Sequence, residues 1–311
     1  MNPAWSIILF TTIAGSAQGL VVALAVACLA GADLDRAFLG WSLAGATVLL
    51  VAALVASSFH LGHRLRAWRA ALMWRTSWMS REVIVLPAFI ALIGAWAAAT
   101  LAGAPDVQVL LVLPLLAIVL SLLLWLCTAM IYACLRFVQE WAHPLTVVNY
   151  TLIGLSSGLV LAGAVGVLAG QREFVAALGG WAVAATAAAW LGRTLALRRN
   201  AALKPISTLQ SATGIQHPQL QQRAMGMTGG SFNTREFFHR ASLQAMRRTR
   251  VGFQVLAFAV PLVLVCASIG GAGEGWWLVA VPVQSAGLLA ERWFFFAQAR
   301  HPQNLYYQVV S

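Results

Sequence analysis

The sequence predicts an all-α fold: a polytopic membrane protein with eight transmembrane helices, organised as a single integral membrane domain over residues 1–311. Three observations predict it. Hydrophobic residues make up 60% of the chain and charged residues 9%, against roughly 25% charged in a soluble domain. Eight apolar stretches reach the ~20 residues needed to cross a bilayer. The basic residues fall almost entirely into alternate connections between those stretches. A soluble globule and a disordered chain are excluded. No nucleic-acid partner is expected either, because the net charge of +11 and pI of about 10.9 come from Arg and Lys set between apolar runs.

In chain order the stretches are 5–30, 37–59, 83–103, 108–135, 147–170, 174–195, 251–271 and 276–296. The first has small residues at Ala14-Gly15-Ser16-Ala17, as a signal peptide would, but no Lys or Arg precedes it and the apolar run continues past Gly19. It is read as a retained helix. With eight crossings, both termini and loops two, four and six share one side. Loop two carries Arg64, Arg66, Arg69, Arg75 and Arg81, and loop four carries Arg136. Ten more lie between Arg193 and Arg250, and Arg292 and Arg300 follow at the C-terminal end. Arg36 and Arg172 alone remain for the other face. The positive-inside rule then places both termini of this multi-pass protein in the cytoplasm, with a basic cytoplasmic loop at about 197–250. Contact with anionic lipid headgroups accounts for many of these charges.

Ionisable residues inside a span are expensive and usually functional. The sequence reading finds almost none at mid-depth: Glu82, Glu291, Arg193 and His60 fall near cytoplasmic helix ends, and the middle holds small residues, apolar residues and scattered Ser, Thr and Gln. A transporter, which usually needs coupling groups near the midplane, is disfavoured. Pro87, Pro114 and Pro261 are candidate kinks. Cys28, Cys127, Cys134 and Cys266 lie in apolar runs without a C-x-x-C pair, so no cluster or zinc site is expected. His60, His63, His143, His217, His239 and His301 all belong to the Arg-rich side. Axial pairs for two stacked haems need histidines on both sides, so no haem is expected.

The inner face carries the chemistry. Span two ends in Ser57-Ser58-Phe59-His60-Leu61-Gly62-His63-Arg64-Leu65-Arg66-Ala67-Trp68, and Ser80-Arg81-Glu82 opens span three. An imidazole, guanidinium groups and a carboxylate thus meet at headgroup depth, among interfacial Trp68, Trp74 and Trp78. Such a set suits a quinone, whose ring dissolves in lipid while its two oxygens need hydrogen bonds and exchange two protons on reduction. His donates or accepts near neutral pH, and Glu relays protons. On composition alone a merely solvated interfacial His remains the commoner case. Zinc at His60, His63 and Glu82 lacks a complete ligand set.

His60-Leu61-Gly62 with Arg66-Ala67-Trp68, then Ser80-Arg81-Glu82, resembles the membrane anchor subunits of dimethyl sulfoxide reductase-type molybdoenzymes, and the length and eight-span layout agree along the whole chain. The resemblance implies an anchor without haem that binds quinone, either ubiquinone or menaquinone, beside a docked iron–sulfur subunit. It implies a molybdopterin catalytic subunit further out, so clusters and molybdopterin reside in partner subunits. It also implies quinone-binding roles for His60 and Glu82, with Arg64 and Arg66 beside them.

Loop six is long. Thr213-Gly214-Ile215-Gln216-His217-Pro218, Met225-Gly226-Met227-Thr228-Gly229-Gly230-Ser231 and Phe232-Asn233-Thr234-Arg235-Glu236-Phe237-Phe238-His239 resemble the subgroup found with cytoplasmic sulfite-oxidising complexes. So do Glu291-Arg292-Trp293-Phe294-Phe295-Phe296 and His301-Pro302-Gln303-Asn304. Arg235, Glu236, His239 and Arg292 are the expected partner-docking residues. Asn233 or Thr234 is expected to cap a helix running through Arg250 into span seven. The glycines lack a Walker pattern, so a linker or docking surface is the better reading of this loop. The resemblance therefore implies electron flow from sulfite to the quinone pool. Two alternatives stay open: a quinol-oxidising anchor of an S-oxide or N-oxide reductase, and a non-redox transporter. The chain itself is expected to hold no metal and no catalytic residue for the soluble substrate.

Overall fold

The apolar stretches become helices, and side chains fix the starts of several of them. The computed structural model describes residues 1–59, 62–103, 107–224, 233–239 and 241–306, and every regular element among them is helical. The long helices are α1 (Trp5–Leu29), α2 (Arg36–Ser58), α3 (Trp78–Leu101), α4 (Val107–Ala133), α5 (Pro144–Leu168) and α6 (Arg172–Ala201). Asp35 starts α2 by accepting from the Phe38 N–H at 2.9 Å, and Ser77 caps α3. The His143 Nδ1 accepts from the Leu145 N–H at 3.1 Å ahead of Pro144, whose missing N–H costs nothing in a first turn.

Seven segments are long and apolar enough to cross a membrane: these six helices, α4 counted from Leu111, and the composite Leu243–Ala272. The expected eighth, α11 (Trp276–Ala297), is present as a 22-residue helix packed against α1, α5 and the segment Val260–Ala267. Gln284, Glu291 and Arg292 dilute its apolarity. Lipid-facing positions such as Trp41, Val48, Leu115, Val119 and Trp181 are exposed, an apolar surface too large for a soluble monomer.

The composite span corrects an expectation. No single helix runs from Asn233 through Arg250: α8 (Asn233–Glu236) stops after one turn. His239 Nδ1 then accepts from the Ala241 N–H at 3.0 Å, and Ser242 begins α9 (Leu243–Gln254) as its N-cap. A π-helical turn, Val255–Ala259, precedes α10 (Val260–Ala267). It sits just before Pro261, whose ring and missing N–H disrupt a regular ladder. A second, Ser268–Ala272, ends the span, with Gly271 at φ 91°. Loop six also contains α7 (Leu209–Thr213), closed by Gly214 at φ 73°.

Helices α1 and α5 form the centre. Their backbones meet at Gly15 and Gly19 on one side and Gly154 and Gly158 on the other: a Cβ on Gly158 would collide with the Gly19 backbone. Small residues allow this approach where lipid supplies no hydrophobic drive between helices. The chain ends converge on one face, the Met1 nitrogen donating to the Ala299 carbonyl at 2.9 Å and the Asn2 N–H to the Glu236 carbonyl at 2.7 Å. On the opposite face Arg172 pairs with Glu274 at 3.7 Å.

Candidate functional site

Loop two is tied to the start of α3. Residues Arg64–Met73 form a 3-10 helix. Arg81 Nε and Nη2 donate to the Trp74 and Arg75 carbonyls, each at 2.9 Å, and its guanidinium lies 4.1 Å over the Trp78 ring. One residue on, the helix turns Glu82 inward, where it is 9% exposed and accepts a hydrogen bond from the Thr128 hydroxyl of α4. Arg66 is exposed. His60 and the side chain of Arg64 lie outside the described residues. The structure therefore places Glu82 in a buried polar contact and Arg66 at the surface, and Thr128 is a partner the sequence reading missed.

A second group lies deeper in the bundle. Arg193 of α6 reaches Glu291 of α11 at 2.7 Å, and Arg292 reaches the same carboxylate at 3.2 Å. Their side chains are 3%, 1% and 4% exposed respectively. The Arg292 guanidinium stacks 4.0 Å over the Tyr150 ring, and Tyr150 stacks in turn with Tyr132, 5.8 Å between centroids. Arg292 was expected on a docking surface; it is instead inside the bundle, where Glu291 and Tyr150 hold it. The signal that could have revealed this is spacing: Gln284, Leu288 and Glu291 recur on the buried face of α11, and only an opposing charge makes such a stripe tolerable.

The scattered Ser, Thr and Gln are also not scattered in space. Gln284 Nε2 donates to Ser156 Oγ at 3.1 Å, Ser156 pairs with Thr186 at 2.8 Å, and Ser16 donates to Ser157 at 2.9 Å. These contacts join α1, α5, α6 and α11 through the middle of the bundle. The Ser, Thr and Gln that the sequence scatters through the spans thus pair across helices.

On the face where the chain ends meet, loop six closes over a cleft of about 840 Å³ whose lining includes Phe237, His239, Arg250, Arg300 and His301. His301 stacks on Phe237 with 4.0 Å between ring centroids, and its Nδ1 accepts from the Gln303 N–H at 3.2 Å. Burial, and secondarily the positive Met1 amine, hold His239 and His301 below the usual imidazole range. Neutral rings whose Nδ1 accepts a backbone N–H carry their proton on Nε2. Glu236 is exposed beside this cleft, and the side chain of Arg235 lies outside the described residues. Among the described residues no three His, Cys, Asp or Glu side chains gather as a metal site.

A family model described as DMSO reductase anchor subunit (DmsC) matches residues 1–272. The chain belongs to that anchor family. The matched region contains every span up to the end of the composite helix, and Glu82, Thr128, Tyr150 and Arg193 with it. Over 327 aligned residues the chain is 47% identical to a sulfite dehydrogenase subunit of Allochromatium vinosum, covering the full length of both. As a DmsC-family member the protein is a multi-pass membrane anchor, and its helical, lipid-facing architecture is what that role requires.

Proposed function

We propose that this chain anchors a molybdopterin/iron–sulfur oxidoreductase in the bacterial inner membrane and passes electrons from cytoplasmic sulfite oxidation to the quinone pool. The observation that carries the reading is the full-length similarity to a sulfite dehydrogenase subunit. In balance, sulfite and water yield sulfate, two protons and two electrons in the catalytic subunit. The electrons cross the iron–sulfur subunit, and a ubiquinone or menaquinone takes them up with two protons to become quinol. The chain's own work is to hold the quinone headgroup and supply protons. His60, Arg64 and Arg66 orient the headgroup. Glu82, sheltered from lipid and water and hydrogen-bonded to Thr128, passes a proton toward the reduced ring.

Convergence of the two chain ends supports an even number of crossings, with α11, about 33 Å long at 1.5 Å per residue, as the eighth. The Arg-rich loops support a cytoplasmic assignment for that face. Arg235, Glu236 and His239 then present loop six to the iron–sulfur subunit. The family description favours one second reading, in which the same architecture oxidises quinol to feed an S-oxide reductase. Copurification of the partner subunits, followed by assay of sulfite-dependent quinone reduction, tests the reading. Turnover in that direction supports it; quinol-driven S-oxide reduction without sulfite oxidation selects the second.

A further inference from the structure

A small cavity of about 20 Å³ lies between α1, α4, α5 and α11, and its lining includes Thr12, Gln18, Trp125, Thr128, Tyr150 and Arg292. Besides the Tyr150 hydroxyl, which is likewise unpaired, three of these side chains carry buried polar atoms that find no hydrogen-bond partner among the described residues: Thr12 Oγ1, Gln18 Oε1 and Trp125 Nε1. Their residues are 9%, 2% and 2% exposed. Thr12 stands apart from its neighbour. The Thr11 hydroxyl bonds back to the Ile7 carbonyl at 2.9 Å, the usual helical solution, and the Thr12 hydroxyl does not. Gln18 is fixed at its other end, Nε2 donating to the Ala14 carbonyl at 3.0 Å, which leaves Oε1 as the free acceptor.

We propose that this cavity is an internal water site, whose single ordered water joins the Glu82–Thr128 pair to the polar groups of α1 and to Trp125 of α4. The volume suffices, since one water needs roughly 10–15 Å³ and two to four polar partners. The valences also close. The Trp125 N–H and the Thr12 hydroxyl donate to the water, which donates to Gln18 Oε1 and to a lone pair of the Thr128 oxygen. The Thr128 proton is already engaged on Glu82. Three of the four buried orphans around the cavity are satisfied together. In a bilayer, where the alternative is an unmet polar group in hydrocarbon, this is the expected use of such a space.

The site deepens the quinone reading by giving the carboxyl of Glu82 an internal hydrogen-bonded neighbour, and it rests on that reading only for this consequence. The tests avoid turnover, so their failure is separate from the failure of that reading. In a high-resolution cryo-EM map of the purified complex, density within hydrogen-bond reach of at least two of the three atoms supports the site; featureless density there overturns it. Thr12→Val is nearly isosteric and removes one ligand. If a water bridges the group, it loses one of its four partners and the thermal midpoint falls by about 2–4 °C. An unchanged or raised midpoint means a dry cavity relieved of a polar atom, and overturns the site. Finally, the infrared carbonyl band of Glu82, assigned by its loss in Glu82→Gln, moves in Thr12→Val if the water links the two. A stationary band overturns the link.

Discussion

Replacement of Glu291 by Gln is the sharpest test of how the interior is built. Glu291 is the one carboxylate shared by Arg193 at 2.7 Å and Arg292 at 3.2 Å, in a group whose side chains are no more than 4% exposed. The group carries one net positive charge. Glu291→Gln raises it to two, with both guanidinium groups buried. Breaking a buried pair by removing one partner typically costs about 3–5 kcal/mol, because a desolvated charge is left uncompensated. At about 1.4 kcal/mol per decade, the folding equilibrium shifts by roughly two to three and a half orders of magnitude. Arg193→Met removes the opposite charge and leaves the Glu291–Arg292 pair electrically neutral, so its cost falls well below that of Glu291→Gln. Thermal unfolding of the purified complex, followed by helix loss in circular dichroism, reads the order. Equal midpoints for the two variants, or Arg193→Met as the more damaging, would refute the reasoning that charge balance governs this cluster.

The remaining predictions are briefer. Glu82→Gln and His60→Ala each lower sulfite-dependent quinone reduction by about 10²–10⁴-fold, the range of general acid–base catalysis, while dye-linked sulfite oxidation by the same preparation stays unchanged. Gly158→Leu forces a side chain into the Gly19 backbone and costs about 1–3 kcal/mol or more, read as a lower thermal midpoint and lower yield of assembled complex. His239 and His301 have folded-state pKa values below the ordinary 6.5, so the unfolded state binds the additional proton. Their packing of loop six is therefore fully favourable above about pH 6.5 and is lost as pH falls through the folded values. Protection factors near residues 236–239 and 301–305, referred to the intrinsic exchange rate at each pH, should fall on acidification and recover on return to neutral pH.

The spans were legible because length and apolarity largely decide them: α1, α2, α4 and α5 start and stop within three residues of the expected limits, while α3 begins five residues earlier and α6 ends six residues later. Gln284, Glu291 and Arg292 dilute the apolarity of α11, and their compatibility with a buried helix depends on Arg193, roughly a hundred residues away in the chain. The interruption between α8 and α9 was missed because His239 and Ser242 offer local backbone bonds that compete with a continuous helix. At the candidate site, Glu82 was legible from its place beside the basic loop. Its partner Thr128 was not, since nothing in a Thr within an apolar run marks which helix it faces. Likewise Thr12, Gln18 and Trp125 are unremarkable separately, and acquire meaning only where α1, α4 and α5 bring them around one small space.

The central claim, that this anchor couples a cytoplasmic sulfite-oxidising module to membrane quinone, is tested most directly in proteoliposomes holding the purified complex and a water-insoluble quinone. The account predicts that sulfite added on the face bearing loop six reduces the quinone two electrons at a time, and that Glu82→Gln abolishes this without affecting dye reduction. Quinone that stays oxidised while the catalytic module turns over with dye would contradict it.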